Sequence, residues 1–196
     1  MNALEAIYRR SLPGVHCIAI NSPQVPNRKT PVSIKLLVPD ASEALILDAL
    51  QEERERILTD VRDAEVVLLI AGLGGVIGSF VSCVLADMLA AQQTPVWAIV
   101  TQPFTFEGRQ RRERADKAIA LLSKRVDMLI TRDNQALIAA VNSWESLGEI
   151  FMLADESLVD LIAMLPSHLT KPASLHEHLP KGATIAFREG QSHLGR

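Results

Sequence analysis

Glu65-Val66-Val67-Leu68-Leu69-Ile70-Ala71-Gly72-Leu73-Gly74-Gly75-Val76-Ile77-Gly78-Ser79 is an apolar run that passes straight into a glycine-rich turn. The Glu65 to Ala71 stretch reads as a strand buried on both faces, Gly72 to Gly78 as a loop, and Ser79 to Ala91 as a helix. Pro95 to Thr101 is another apolar strand, which completes a βαβ unit. The alternation then repeats, with a loop from Gln102 to Gly108, a helix from about Arg109 to Lys124 and a strand from Val126 to Thr131. The fold class is therefore α/β, an open, mostly parallel sheet with helices on both faces, Rossmann-like in plan.

Working outward, Ala3 to Arg10 has helical spacing, Val15 to Ile20 and Val32 to Val38 are strand candidates, and a Pro-rich loop separates them. Pro39-Asp40-Ala41-Ser42 starts a long helix to about Asp63, with Leu47, Leu50, Ile57, Leu58 and Val61 as its apolar stripe. Glu52 to Arg56 is its solvated charged face. On the other side lie two helices, Asn134 to Val141 and Ile150 to Leu165. Pro166, Pro172 and Pro180 break the tail before a last strand, Thr184 to Phe187.

A chain of 196 residues, 48% hydrophobic and 22% charged, is the size and composition of one folded domain spanning 1–196. Its net charge of −3 offers no whole-molecule attraction to nucleic acid or an anionic membrane. No window approaches the ~18 apolar residues of a membrane span, and Met1 to Arg10 has no signal-peptide core, so the expected location is cytoplasmic. Cys17 and Cys83, each in an apolar stretch, read as reduced thiols, and no metal site is expected.

In an open α/β sheet, ligands bind at the carboxyl ends of the strands, where Gly72 to Gly78, Gln102 to Gly108 and Arg132 to Gln135 come together. A glycine-rich loop heading a helix suits phosphate, because backbone N–H groups and the helix dipole converge there; it also suits a plain tight turn. Neither standard fingerprint fits. The dinucleotide pattern needs glycine where Ile77 stands, and the P-loop ending G-K-[ST] is absent.

The Ala71 to Ser79 stretch, followed by Thr101-Gln102-Pro103-Phe104-Thr105-Phe106-Glu107-Gly108-Arg109, resembles the GTPase domain of the FtsZ family in the tubulin superfamily. Ile18 to Asn21, Asp127 to Leu137 and Phe151 to Glu156 resemble further segments of that domain, in the same order. The resemblance implies a nucleotide-binding domain with GTP at the strand ends, Mg²⁺ accompanying the triphosphate, and assembly with further copies or with an FtsZ-type partner in cell division. It also implies roles for individual residues. Gly72, Gly74, Gly75, Gly78 and Ser79 would line the phosphates, Glu107 and Arg111 would hold ribose and the adjacent phosphate, and Asn134 would face the base. Phe151 would stack on guanine and Glu156 accept from its N1 and N2 donors. Without the family, Phe151 reads equally as core, Glu107 as a turn residue and Arg111 as part of the solvated run Arg109, Arg111, Arg112, Arg114.

The departures are also specific. The family's G-G-G-T-G-T-G loop begins at Gly74 here, but Val76, Ile77 and Phe80 replace a glycine, a threonine and a glycine. Val38-Pro39-Asp40-Ala41-Ser42 stands where the family has a second γ-phosphate loop, and adds a negative charge. The catalytic Asn-x-Asp-x-x-Asp falls on His176, His178 and Lys181, so no catalytic carboxylate is expected and hydrolysis should be weak or absent. Together these changes imply weak GTP or GDP binding, or a nucleotide-independent scaffold or regulator that docks on a true division GTPase. The family's first strand and its second, C-terminal domain have no counterpart in these residues. That strand lies between the strands matching Val15 to Ile20 and Val66 to Ala71; since buried unpaired backbone groups are costly, these two should pair directly, the first choice, or take a strand from elsewhere such as Thr184 to Phe187, or pair with a second copy of the chain.

Overall fold

The computed structural model describes residues 15–21, 32–35, 42–92, 94–138, 147–165, 174–175, 177, 179–180 and 182–188; at 21, 32–35, 147 and 151 the description is of the backbone alone. In chain order the elements are β1 (Ile18–Asn21), β2 (Val32–Lys35), α1 (Glu43–Glu52), α2 (Arg54–Asp60) and β3 (Val67–Gly72). A single π-helical turn, Ile77–Val81, leads into α3 (Ser82–Ala90). Then follow β4 (Val96–Gln102), a 3₁₀ turn (Thr105–Glu107), α4 (Arg109–Leu122), β5 (Met128–Asp133), α5 (Gln135–Ile138), α6 (Leu147–Met164) and β6 (Ala183–Phe187). The first-helix reading over Ala3 to Arg10 and the segment Pro39 to Ala41 lie outside the described residues.

The four-stranded sheet runs β3-β4-β5-β6, parallel from β3 to β5, with β6 antiparallel at the end. This is the mostly parallel α/β sheet that the alternating pattern predicts. β4 has a neighbour on each side and Val96 to Thr101 are all buried, whereas β3, equally apolar, is only half-buried along its whole length. One face of the sheet packs Trp97, Ile99, Met128 and Ile130 against Leu158, Val159, Leu161 and Ile162 of α6. The other packs Ala98, Val100 and Leu129 against Cys83, Ala86 and Leu89 of α3 and Ala115, Ala118 and Leu122 of α4. Asp127, 8% exposed, joins three strands: one carboxylate oxygen accepts from Val96 N–H at 2.7 Å and the other from Arg188 Nη2 at 2.6 Å.

Two expectations need correction. The long helix ending near Asp63 is two helices, because Glu53 (φ −86°, ψ −1°) breaks it. The buried residues of α1 are Ile46 and Leu50, not Leu47, which is 38% exposed; the break then turns Ile57 into the same core. Nor do β1 and β3 pair directly. β1 pairs in parallel with β2 in a separate two-stranded sheet, and among the described residues the second edge of β3 carries no strand. Side chains hold the two pieces together instead. Ile18, Ile20 and Leu69 pack on the cluster around Ile46, Leu50 and Leu85, and Cys17 lies with Val66, Leu68 and Ile70 against the α6 cluster. The expectation failed because its cost term assumed full burial; on a half-buried strand, water can serve the free N–H and C=O groups.

Candidate functional site

The carboxyl ends of β3, β4 and β5 each feed a loop, and the three loops meet. Leu73 N–H donates to Thr101 O at 2.8 Å, which carries the β3–β4 contact one residue past the strand and fixes where the glycine loop begins. Gly74 has φ +102°, a conformation that L side chains rarely adopt. A Cβ there would lie 3.1 Å from Pro103 Cγ and 3.2 Å from Arg111 Cβ, so Gly74 is the joint between the first two loops. A Cβ at Gly78 would collide with the carbonyl oxygen of Gly72, so the helix can start this close to the strand only with glycine at that position. Gly75 faces open space.

Within the glycine loop, Gly74 N–H donates to Ser79 Oγ at 2.9 Å, and Ser79 N–H to Gly75 O at 3.1 Å. Two groups that the resemblance would give to phosphate thus serve each other. Glu107 is similarly engaged. Its Oε1 accepts from Phe104 N–H at 2.9 Å, shaping the 3₁₀ turn, and its Oε2 accepts from Arg111 Nη1 at 2.7 Å. The turn reading and the binding reading of Glu107 therefore fall on one carboxylate. Arg111, half-exposed, has its Cβ and carbonyl oxygen beside Gly74 and its guanidinium on Glu107.

The rest of the arginine run is not uniformly solvated. Arg109 is, paired with Glu113 on the surface. Arg114 Nη1 donates to Gly74 O at 2.7 Å and ties α4 to the glycine loop. Arg112 grips Asp133 through Nη1 (3.2 Å) and Nη2 (3.0 Å), and also reaches Pro103 O and Gln102 Oε1. The bond to Asp133 raises the Arg112 pKa above the ordinary arginine value, partly offset by burial. Asp133 Oδ1 further accepts from Gln135 N–H, and Gln135 Oε1 accepts from Thr105 N–H and Oγ1–H. Arg112, Arg114, Asp133 and Gln135 thus lock the three loops to one another, and sequence reasoning missed them because a run of arginines on a helix carries no mark of which ones find partners.

At the end of β5, Asn134 N–H donates to Gln102 O at 3.4 Å, and its amide oxygen is buried without a partner among the described residues. Glu156 is exposed on α6 and makes no hydrogen bond among the described residues. The Phe151 backbone belongs to α6; its side chain, like His176, His178 and Lys181, lies outside the described residues. The structure thus gathers Gly72, Gly74, Gly75, Gly78, Ser79, Glu107 and Arg111 at one place, with Asn134 at the neighbouring strand end. Positive-φ and close-packed glycines, a helix start and an arginine backbone beside the glycine loop lie together at one end of the sheet, with the Asn134 amide oxygen, an acceptor, at the next strand end. No group of three or more His, Cys, Asp or Glu that could hold a metal occurs among the described residues.

The sequence model of the family described as Tubulin/FtsZ family, GTPase domain, matches residues 43–142, just over half of the chain and all three loops. The chain belongs to the tubulin/FtsZ family. Cell division protein FtsZ of Buchnera aphidicola subsp. Schizaphis graminum is 28% identical over 203 residues, which cover 99% of this chain and 53% of that protein. The FtsZ of Pseudomonas aeruginosa is 30% identical over 144 residues, 74% of this chain and 36% of that one. Among solved structures, the empty FtsZ dimer of M. jannaschii superposes with a TM-score of 0.76 at 26% identity, over 87% of this chain and 52% of that chain. CetZ2 from Haloferax volcanii, a GTPgS-bound protofilament, shares the fold with a TM-score of 0.69 at 21% identity, over 85% and 54%. The chain thus spans about half the length, or less, of these relatives. Within the family frame, the glycine loop, the Thr101 to Arg109 segment and the Asp127 to Leu137 segment occupy successive strand ends of one sheet.

Proposed function

We propose that this chain is a guanine-nucleotide-binding domain of FtsZ type, acting in the cytoplasm in cell division, with little or no hydrolysis of its own. The observation that carries the reading is the joint at Gly74, where the glycine loop, Pro103 and Arg111 come into contact at the head of a helix. Backbone N–H groups of the first helical turn supply donors for phosphate oxygens, Arg111 a planar fork and Glu107 an acceptor for ribose hydroxyls. The bonds Gly74 to Ser79 and Glu107 to Arg111 must be shared or exchanged when ligand binds, which weakens the net gain. GDP and GTP should therefore bind weakly and alike. Magnesium would accompany the triphosphate, and assembly would be with further copies or an FtsZ-type partner.

The same internally satisfied loop favours a second reading, a nucleotide-independent scaffold or regulator that docks on a true division GTPase. Calorimetric titration with GDP and with GTP, each with and without Mg²⁺, separates the two. The first reading expects measurable heat of similar affinity for both nucleotides, weakened in Arg111→Ala and in Phe151→Ala. No binding of either nucleotide leaves the second reading, and binding unchanged in both variants puts the ligand elsewhere. Phosphate release from concentrated protein with GTP and Mg²⁺ should stay at background, because a register anchored at Lys171-Pro172 assigns His176, His178 and Lys181 to the positions where water-positioning carboxamide and carboxylate groups are needed.

A further inference from the structure

One turn brings the last strand of the four-stranded sheet back against the loop cluster. Pro180 O accepts from Ala183 N–H at 3.0 Å, and Gly182, third in that turn, has φ +79°, the sign that a type II turn requires there. The turn opens β6, which runs antiparallel along β5 with Ala183 opposite Arg132 and Phe187 opposite Met128. The ladder extends one residue past β6 at each end. Asp133 N–H donates to Gly182 O at 3.0 Å, and Arg188 N–H donates to Asp127 O at 3.1 Å.

Gly182 has no room for a side chain. A Cβ there would collide with Ala136 Cβ, which is fixed to the backbone of α5 and cannot swing away, and would lie 3.5 Å from Asp133 O. Both neighbours of Gly182 belong to the network that locks the three loops. Asp133 grips Arg112 and accepts from Gln135 N–H, and Gln135, next to Ala136 in α5, accepts from Thr105 N–H. The place of this turn therefore sets the place of the third loop, and through Gln135 and Arg112 that of the second. Among the described residues β6 is an edge strand with Thr184 and Ala186 exposed, so its release from β5 is a local opening rather than global unfolding. Release would take the acceptor from Asp133 N–H and the wall from behind α5.

We propose that Gly182 is a positioning residue, through which the docking of β6 on β5 is coupled to the order of the nucleotide loops. The inference rests on the nucleotide-binding reading above, and the two fail separately. The experiment is titration calorimetry with GDP on the wild-type chain, on Gly182→Ala, and on Gly182→Ala combined with Ala136→Gly, with urea unfolding and amide exchange on the same preparations. Gly182→Ala should weaken GDP by about fivefold or more, a modest coupling between two sites. Ala136→Gly frees the space that the new methyl group needs and should recover most of that loss. A merely structural role would lower the urea midpoint and leave the affinity of the folded protein unchanged. Coupling is reciprocal, so saturating GDP should slow exchange of the Arg188 amide, at the far end of the ladder, by about fivefold or more in the wild-type chain and much less in Gly182→Ala.

GDP affinity unchanged in Gly182→Ala overturns the inference and leaves nucleotide binding intact, and so does a loss that Ala136→Gly fails to relieve. Where Gly182→Ala does not fold, wild-type exchange decides, and an Arg188 amide indifferent to bound GDP overturns the inference. A wild-type chain that binds neither GDP nor GTP overturns both readings.

Discussion

Gly78 and Gly75 stand three residues apart in one loop and should respond oppositely to the same change. A methyl group on Gly78 meets the Gly72 carbonyl, a backbone atom that cannot swing away, whereas a methyl group on Gly75 meets nothing within 4 Å. Gly78→Ala should cost about 1–3 kcal/mol or more in urea unfolding. Gly75→Ala should be neutral or stabilising by up to about 1 kcal/mol, through a less flexible unfolded chain. Asp127 offers a second test. Its carboxylate serves both Val96 N–H and Arg188, so Asp127→Ala leaves a backbone donor and a cation without their acceptor. With Arg188 partly open to solvent, a loss of about 2 kcal/mol is expected, and Asp127→Asn should recover part of it by keeping an acceptor for Val96. The position of Asp127, just ahead of an apolar strand, was visible in the sequence. Its two partners, 31 and 61 residues away, were not.

The strands differ by their place in the sheet more than by composition. β3 reads Val-Leu-Leu-Ile-Ala-Gly and β4 Val-Trp-Ala-Ile-Val-Thr-Gln, yet among the described residues β3 has one ladder and β4 two. Hydrogen exchange should show this directly. Every second amide of β3, those not donated to β4, should exchange by local access to water, while the β4 amides exchange only in large openings. Uniform protection along β3 would mean that another strand covers its second edge. At the same scale, the loops depend on side chains reaching between elements. Arg112→Met removes the clamp on Asp133 and should weaken nucleotide binding several-fold, with a loss of stability of about 1 kcal/mol, since the pair is one-third exposed. Titration and urea unfolding on the same preparation separate these two effects.

For the molecule as a whole, the two thiols give a pH dependence whose sign is set by burial. Desolvation raises both Cys17 and Cys83, so the unfolded chain forms thiolate at a lower pH than the folded one. Their contribution to stability is fully present below the unfolded thiol pKa of about 8.5 and is lost as pH rises through the higher folded values. The urea midpoint should therefore fall between about pH 8 and about pH 10, by less in Cys83→Ala. Thiol reagents at neutral pH should modify Cys17, which is half-buried, before Cys83, which is packed between α3 and α4.

The sequence alone determined what depends on neighbours along the chain. The switch from apolar runs to helical spacing gave the βαβ alternation, and with it the strand ends at which a ligand site had to lie. The glycine positions marked a turn too tight for side chains, and Gly74 and Gly78 are such positions. Tertiary structure decided what depends on distant partners. It separated β1 and β2 from the main sheet, because packing on α1 and α6 substituted for a ladder. It also distinguished arginines that look alike in the sequence, since Arg112 meets Asp133 and Arg114 meets Gly74 only after 21 and 40 residues of chain have folded back. Arg132 carries both lessons. The sequence reading ends the strand at Thr131 and starts a loop at Arg132, whereas β5 runs on to Asp133 and, among the described residues, encloses the Arg132 charge against α6 with one carbonyl to receive it.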